Sequence, residues 1–256
     1  FVLPPWLVVS AVRKLRGTLP PRTFHRDLAI YLRALATLLV ALVAYTNLKC
    51  RLLLFHPQLF DRIFWNLDDL LHMGGGDFVA WVTSLHSPPR TALLQNVYFY
   101  AWAALALPLA VAMARSGAAL VRRALAALAL CYIVGVFVYL AFPSLGPALV
   151  ESGRYAALSG SHAFELHQSM LKALRYTVQN PQAPAAPFFG LAAFPSLHLA
   201  TTALGLIVAW RVWRPLLLLL VPWNLAIAAS AVYFGWHYAL DIYPGLALAA
   251  LGWWAA

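Results

Sequence analysis

The stretch LAAFPSLHLATTALGL, residues 191–206, decides how the rest of the chain is interpreted. Its second half is apolar enough to enter a bilayer, yet a Pro-Ser pair and His198 stand at its start. An ionisable side chain at the mouth of a membrane span is costly, and it is usually functional and paired. A histidine in this position therefore calls for a partner elsewhere in the chain.

The composition is that of a membrane protein. Of the 256 residues, 63% are hydrophobic and 10% are charged, and the mean hydropathy is +0.75. Soluble domains are about 45–50% apolar and about 25% charged. The net charge of +10 does not indicate nucleic acid binding, because the basic residues cluster beside apolar segments. Cys50 and Cys131 suggest neither a disulfide framework nor a metal site, and we expect both to be reduced.

Six apolar segments predict an all-α fold, a polytopic bundle of six transmembrane helices. They are residues 28–48, 92–114, 119–142, 198–213, 215–234 and 237–256. Lengths of roughly 17–25 residues suit a bilayer; the fourth segment is shorter and becomes adequate if the residues before it dip into the interface. We expect residues 1–27 to be a cytoplasmic or interfacial segment. Residues 28–256 are expected to form one membrane domain, with a motif-bearing core at 92–256.

The basic residues predict the orientation of this bundle. If the first helix runs outward from the cytoplasm, eleven of the eighteen lysines and arginines fall on the cytoplasmic side, as membrane topology favours. Six of the eight acids share the opposite side: Asp61, Asp68, Asp69, Asp77, Glu151 and Glu165. His198 and the start of the last span then face the extracytoplasmic side. The long outer segments 49–91 and 143–190 are expected to contain interfacial helices.

The segment SAVYFGWHYALDIYPG, residues 230–245, supplies a partner for His198. His237 opens the last predicted span and Asp241 follows four residues later, so on a helix their side chains share a face. A buried carboxylate fixes the tautomer of an imidazole and leaves its other nitrogen free to attack or to bind metal. A purely structural His–Asp pair stays possible at this point, although His198 enters from the same side.

At these residues the chain resembles a known family. FPSLH at 194–198, followed about 40 residues later by HYALD at 237–241, resembles the type-2 phosphatidic acid phosphatase superfamily. The pattern is most similar to the branch of the fungal inositol phosphorylceramide synthases and their bacterial relatives, where FPSLGP, here residues 142–147, also has a counterpart. The resemblance covers residues 92–256. It implies a metal-independent, cofactor-free enzyme, which we expect in a bacterial inner membrane with its active site facing outward.

By this resemblance, His198, His237 and Asp241 are the catalytic residues. His237 would attack phosphorus to give a phosphohistidine, and Asp241 would orient it. His198 would protonate the leaving oxygen and later activate the acceptor. Ser196 and the free N–H groups at the start of the His198 helix would bind the phosphoryl oxygens.

Two cations of the family pattern are missing from their usual places. The first motif, KxxxxxxRP, has no clean match, and Ser230-Ala231 stands where the third motif often begins Ser-Arg. A phosphodiester carries one negative charge and needs fewer cations than a phosphomonoester, which carries about two. The sequence therefore favours head-group transfer between lipids. Basic residues of the outer segments are the candidates for substrate binding: Arg154, Lys172, Arg175 and, less centrally, Arg90.

Two other interpretations stay open. A lipid phosphate phosphatase, acting on phosphatidic acid or a polyprenyl phosphate, would use the same residues with water as acceptor. A non-catalytic transporter or scaffold would explain the helices and Asp241, but not two histidines on one membrane face. The expected partners are a phospholipid or lipid phosphate, a lipid or water acceptor, and the bilayer. His162 and His167 are poorly spaced for one helical face, so no metal is expected; the head group, the lipid backbone and the oligomeric state stay open.

Overall fold

The computed structural model describes residues 58–183 and 194–256, together with helical residues 29, 32, 33, 36, 39, 40 and 42–49. All regular secondary structure in these ranges is helical. The predicted segment 1–27, part of the first predicted span and Cys50 lie outside the described residues. Cys131 is a buried free thiol, as predicted.

The helices follow one another along the chain and are numbered in that order. They are α1 (Asp61–Met73), α2 (Phe78–Ser84), α3 (Pro88–Phe99), α4 (Ala103–Ser116), α5 (Ala118–Ala141), α6 (Pro147–Val150), α7 (His162–Gln179), α8 (Leu197–Val212), α9 (Leu217–Tyr233) and α10 (Ile242–Ala255). Short 3-10 helices occupy Ser152–Leu158, Arg214–Leu216 and Ala239–Asp241. The described helical stretch 42–49 covers the end of the first predicted span, 28–48, and one residue beyond it; it is called segment 42–49.

Three helical stretches in the described residues are long and apolar enough to cross a membrane: Pro88–Ser116, Ala118–Ala141 and Arg214–Tyr233. The first combines α3 and α4, which residues 100–102 divide, whereas the sequence predicted one span at 92–114. Helices α8 and α10 have 16 and 14 residues, short for a hydrocarbon core of about 30 Å at about 1.5 Å per residue. The described residues thus contain three candidate membrane-spanning helices, and the count of six stays a prediction.

The last helix begins later than the sequence predicted. Gly235, at φ +65°, turns the chain after α9, and the N–H groups of Trp236 and His237 bond back to the carbonyl of Ala231. Tyr238 is extended, at φ −69° and ψ 151°, and a 3-10 turn precedes α10. The expectation that His237 and Asp241 share one face of an α-helix was therefore wrong, because a turn joins them instead.

Helix α8 lies at the centre of the bundle, packed by α4, α5, α9 and α10. Small residues allow this close approach. A Cβ on Gly205 of α8 would overlap the carbonyl oxygen of Ala104 on α4, and one on Gly252 of α10 would lie 2.9 Å from the carbonyl oxygen of Ala127 on α5. Contacts between small residues are typical of helices that associate in membranes, where apolar burial between helices gains little.

The two ends of the bundle differ in their side chains. At one end, the guanidinium of Arg123 lies 4.7 Å from the ring centroid of Trp253, and that of Arg214 lies 4.3 Å from Trp210. Arginine and tryptophan together are typical of a membrane–water interface. Helix α8 runs from His198 at the opposite end to Arg211 at this one. The orientation of these ends relative to the cytoplasm stays a prediction.

Candidate active site

His198, His237 and Asp241 lie side by side at the end of the bundle away from the arginines. His237 Nδ1 is 3.1 Å from Asp241 Oδ2, and the ring centroids of the two histidines are 6.2 Å apart. His237 is 5% exposed and Asp241 is fully buried. The three residues that the sequence nominates as catalytic thus share one site.

The turn before α10 sets the relation between His237 and Asp241. Asp241 Oδ2 also accepts the backbone N–H of Tyr238 at 2.9 Å, so one oxygen holds both the turn and the imidazole. The main-chain oxygen of Asp241 accepts the N–H of Ser196 at 3.1 Å, which ties the turn to the start of α8. A carboxylate at Nδ1 keeps the proton there, and Nε2 of His237 retains its lone pair.

Ser196 is fully buried and caps helix α8. Its Oγ accepts the N–H of Leu199 at 3.4 Å and lies 3.3 Å from His237 Nε2. Serine is a favoured N-cap because its oxygen satisfies an N–H that the helix leaves unpaired. The hydroxyl thus contacts the imidazole nitrogen that the sequence nominates as nucleophile. Phosphate binding by Ser196 stays a prediction.

Tyr98 on α3 holds the other histidine, and the sequence reasoning missed it. Its hydroxyl is 3.0 Å from His198 Nδ1, and its ring centroid is 4.3 Å from that of Trp236. Proton transfer by His198 would then use Nε2, because Nδ1 is engaged by the phenol. Tyr98 and His198 are 100 residues apart, so no local sequence pattern links them.

A cavity of about 510 Å³ opens beside the two histidines. Aromatic and aliphatic side chains dominate its wall, with contributions from Tyr45, Trp102, Tyr132, Tyr139 and Trp236. Segment 42–49, α3, α5, α7 and α8 all contribute to it. Its size and composition are those of a small-molecule site, in which a few polar groups set the chemistry of a mostly apolar pocket.

Lys49 is the single lysine or arginine that the described residues contribute to the cavity wall. Its Nζ lies 5.5 Å from the ring centroid of Tyr45 and 5.4 Å from that of Tyr139. Aromatic faces attract an ammonium group at such distances and restrict its position. The sequence reasoning missed Lys49 because a lysine at the end of a span is ordinarily an interface residue.

The basic residues nominated for substrate binding lie elsewhere. Arg154 forms ion pairs with Asp77 and Glu151, and its guanidinium lies 5.3 Å from the ring centroid of Trp65. Lys172 and Arg175 are exposed on α7. Neither these three cations nor Arg90 belongs to the cavity wall formed by the described residues.

The fold and the site together define a class: a helical integral membrane protein with a histidine–carboxylate site on an apolar cavity. Residues 63–255 match the family described as the PAP2 superfamily. The match covers well over half of the chain, and the chain therefore belongs to the PAP2 superfamily. This superfamily generally consists of phosphatases and phosphotransferases, so the protein is a membrane enzyme of that type with lipid phosphate substrates. No curated protein and no solved structure matches the chain.

The family match extends further toward the N-terminus than the motifs do. The sequence motifs carry the resemblance over residues 92–256, whereas the match begins at residue 63, within α1. The matched region therefore includes all of α2 and all of α1 except its first two residues.

Proposed function

We propose that the protein is a lipid phosphotransferase that moves a phosphorylated head group from one lipid to an acceptor hydroxyl, in the manner of an inositol phosphorylceramide synthase. The observation that carries this proposal is the pair of His237 and Asp241, 3.1 Å apart, beside His198 on the wall of an apolar cavity. A nucleophile, its orienting carboxylate and an acid–base group are the parts that a two-step displacement needs.

In the first step, Nε2 of His237 attacks the phosphorus of a phosphodiester. A nitrogen–phosphorus bond forms and the bond between phosphorus and the oxygen of the donor lipid breaks. His198 donates a proton to that oxygen, so the donor lipid leaves as an alcohol. Asp241 stabilises the positive charge that develops on the imidazole of His237, as a carboxylate does in hydrolase triads.

In the second step, an acceptor hydroxyl attacks the phosphohistidine. His198 removes the proton of the hydroxyl, the new oxygen–phosphorus bond forms, and the bond to Nε2 breaks. A lipid alcohol as acceptor gives head-group transfer, and water gives hydrolysis. The apolar wall of the cavity favours the lipid alcohol, because it excludes water and accommodates a chain.

The charge of the cavity supports a phosphodiester over a phosphomonoester. Within the described chain, Lys49 alone among lysines and arginines lines the cavity, and Arg154 is already paired with two carboxylates. One cation balances the single charge of a diester, whereas a monoester carries about two. Lipid phosphate hydrolysis is the second candidate, which the same histidines support.

Transfer of label between lipids tests the proposal directly. Purified protein in nanodiscs would receive an inositol phospholipid labelled in its head group together with ceramide or diacylglycerol, and separately phosphatidic acid. His237→Ala removes the proposed nucleophile. His162→Ala is a matched control, since His162 is exposed at the start of α7. We expect label to appear on a new lipid with the wild type and the control, and not with His237→Ala.

The other results discriminate between the candidates. Free phosphate from phosphatidic acid, with no transfer, would identify a phosphatase. Turnover that persists in purified His237→Ala protein would reject the phosphohistidine mechanism. A labelled phosphoenzyme that is acid-labile and base-stable, and missing from His237→Ala, would support it.

A further inference from the structure

Two buried carboxylates of α1 bond to the turn that carries His237 and Asp241. Asp68 is 1% exposed; its Oδ2 accepts the N–H of Ala239 at 2.7 Å and its Oδ1 accepts that of Leu240 at 2.8 Å. Asp68 thus accepts backbone N–H groups that lie between His237 and Asp241 in the chain.

Asp61, the first residue of α1, bonds to the same turn through the side chain of Tyr238. It is 4% exposed, and its Oδ1 accepts the hydroxyl of Tyr238 at 2.9 Å. It also accepts the N–H groups of Leu145 at 3.0 Å and of Gly146 at 2.9 Å. Asp61 therefore joins the turn to the loop after α5, which contributes Leu145 to the cavity wall.

Helix α1 is oriented with its acids inward and apolar residues outward. Asp61, Phe64 and Asp68 are its buried residues, at a spacing that lies along one helical face. Leu70 and Leu71 are 62% and 58% exposed. Such an outer face suits lipid or the membrane interface. The inward face carries the carboxylates that accept the N–H and O–H donors of the turn.

Burial of these carboxylates is costly, and hydrogen bonds compensate for only part of the cost. Desolvation raises the pKa of Asp68 to about 6, against the lowering effect of the Leu240 and Ala239 N–H groups. Desolvation likewise raises the pKa of Asp61. A buried charge that the fold retains at such a cost is expected to serve a geometry that an apolar residue would not provide.

The 237–241 turn depends on hydrogen bonds from other parts of the chain, because it does not belong to an α-helix. Tyr238 is extended and Ala239–Asp241 forms a single 3-10 turn. The N–H groups at such a start have no partner within the helix that follows. Here Asp68 provides the partners, across 171 and 172 residues of sequence.

We propose that Asp61 and Asp68 are positioning residues, which hold the 237–241 turn so that Nε2 of His237 stays aimed at the cavity. The inference deepens the proposed function, on which its kinetic part rests. The carboxylates touch neither histidine directly and act through the backbone of the turn and the phenol of Tyr238. Helix α1 is then a functional part of the active site.

The test compares three isosteric variants of one helix, Asp61→Asn, Asp68→Asn and Asp69→Asn. The third is the matched control: Asp69 Oδ1 accepts the N–H of Phe78 at 2.8 Å, so its hydrogen bond is to the start of α2 and not to a residue of the turn. In Asp68→Asn the amide NH₂ must face one of the two N–H donors and loses that bond. In Asp61→Asn a neutral amide oxygen replaces the charged acceptor of the Tyr238 hydroxyl and the Gly146 N–H, and these bonds weaken. Hydrogen exchange of the peptide that contains residues 237–241 and steady-state kinetics would be measured in nanodiscs.

We expect faster exchange of this peptide in Asp61→Asn and Asp68→Asn, but not in Asp69→Asn. For the same two variants, kcat should fall about 10–100-fold, as a small misplacement of a reacting group does, with KM within about 2-fold. A merely structural role would lower the amount of folded protein and leave the kcat of the folded fraction unchanged.

A double-mutant cycle identifies the bond through which Asp61 acts. Tyr238→Phe removes the hydroxyl that Asp61 accepts. If the bond carries the effect, Asp61→Asn and Tyr238→Phe together should lower kcat by much less than the product of the single effects. If the two changes together instead lower kcat by the full product of their single effects, the assignment of Asp61 is overturned.

The exchange data separate this inference from the proposed function. Unchanged exchange in Asp61→Asn and Asp68→Asn would overturn the inference, whatever the enzyme's reaction is. Faster exchange with unchanged kcat would overturn the positioning role. If the wild type turns over no lipid phosphate, the proposed function fails, and exchange alone then decides whether α1 holds the turn.

Discussion

His237 has a defined contact at each ring nitrogen. Nδ1 faces Asp241 at 3.1 Å and Nε2 faces Ser196 Oγ at 3.3 Å. A substrate phosphorus would approach Nε2 and replace the serine contact. In the proposed reaction the imidazole would thereby be oriented before substrate arrives, which would lower the entropic cost. His198 is oriented in a comparable way by the phenol of Tyr98 at 3.0 Å.

Lys49 is the residue whose charge should matter most for substrate binding. Lys49→Met keeps the length of the side chain and removes its charge. If Lys49 binds a phosphoryl oxygen, kcat/KM should fall about 10–100-fold, since hydrogen bonds to charged groups contribute about 1.5–3 kcal/mol. Lys49→Arg should retain most of the activity. Initial rates in nanodiscs over a range of lipid concentrations would measure this.

Lys172→Met provides the comparison for Lys49. Lys172 is exposed on α7 and lies outside the described cavity wall, so its loss should change kcat/KM by less than about 2-fold. A large loss with Lys172→Met and none with Lys49→Met would restore the assignment made from the sequence. That result would remove Lys49 from the site.

At the scale of elements, the site depends on close contact between α10 and the start of α8. Gly245 of α10 lies against Ser196, and a Cβ there would be 2.5 Å from the Ser196 carbonyl oxygen. Two backbones meet at this point, so neither can yield by rotating a side chain. The position of Ser196, next to both histidine motifs, is thus coupled to the packing of α10.

Gly245→Ala should therefore destabilise the protein and impair catalysis together. Alanine ordinarily stabilises a helix interior by about 1 kcal/mol relative to glycine, but overpacking here should cost about 1–3 kcal/mol. A displaced Ser196 should also lower kcat at least about 10-fold. Thermal unfolding and kinetics would be compared with those of Gly153→Ala, where a Cβ meets nothing within 4 Å. Equal behaviour of the two variants would show that α10 adjusts freely.

At the scale of the whole molecule, the outer helix α7 is joined to the site by a buried histidine. His167 is 1% exposed, and its ring centroid lies 5.9 Å from that of Trp236 and 6.0 Å from that of Tyr155. Burial lowers its pKa from 6.5 to about 4, against the raising effect of a hydrogen bond to the Phe234 backbone. The folded protein therefore keeps this imidazole neutral.

The free energy of unfolding should decrease at acidic pH because of His167. Between pH 6.5 and about 4 the unfolded chain binds a proton that the folded one does not, so the free energy of unfolding falls as pH falls, by up to about 1.4 kcal/mol per pH unit. Asp68, with its pKa raised to about 6, acts in the opposite direction between about pH 4 and pH 6. Comparison of variants is needed to isolate the histidine.

His167→Gln isolates that contribution. The glutamine can retain a hydrogen bond but does not titrate, so the stability advantage of the wild type over the variant should shrink as pH falls from 7 to 5. Thermal unfolding in nanodiscs at several pH values measures it, with the exposed His162→Gln on the same helix as control. A difference that stays constant with pH would show that His167 does not cause the acid sensitivity.

The sequence by itself determined the membrane class, the helical architecture and the identity of the three residues that share the site. Hydrophobic length predicts the spans, and the predicted span 119–142 differs from Ala118–Ala141 by one residue at each end. His198, His237 and Asp241 stand out because ionisable residues in apolar segments are rare. These are properties of local composition, which a chain displays before it folds.

Only the tertiary structure decided what surrounds those residues. The spacing of Asp61, Phe64 and Asp68 marks one face of a helix, but it does not reveal that the face meets a turn more than 170 residues away. Tyr98 and Lys49 likewise resemble ordinary residues of span ends until the helices pack. The physical reason is that periodicity reports which face of an element is buried, whereas its partner depends on packing between elements distant in sequence.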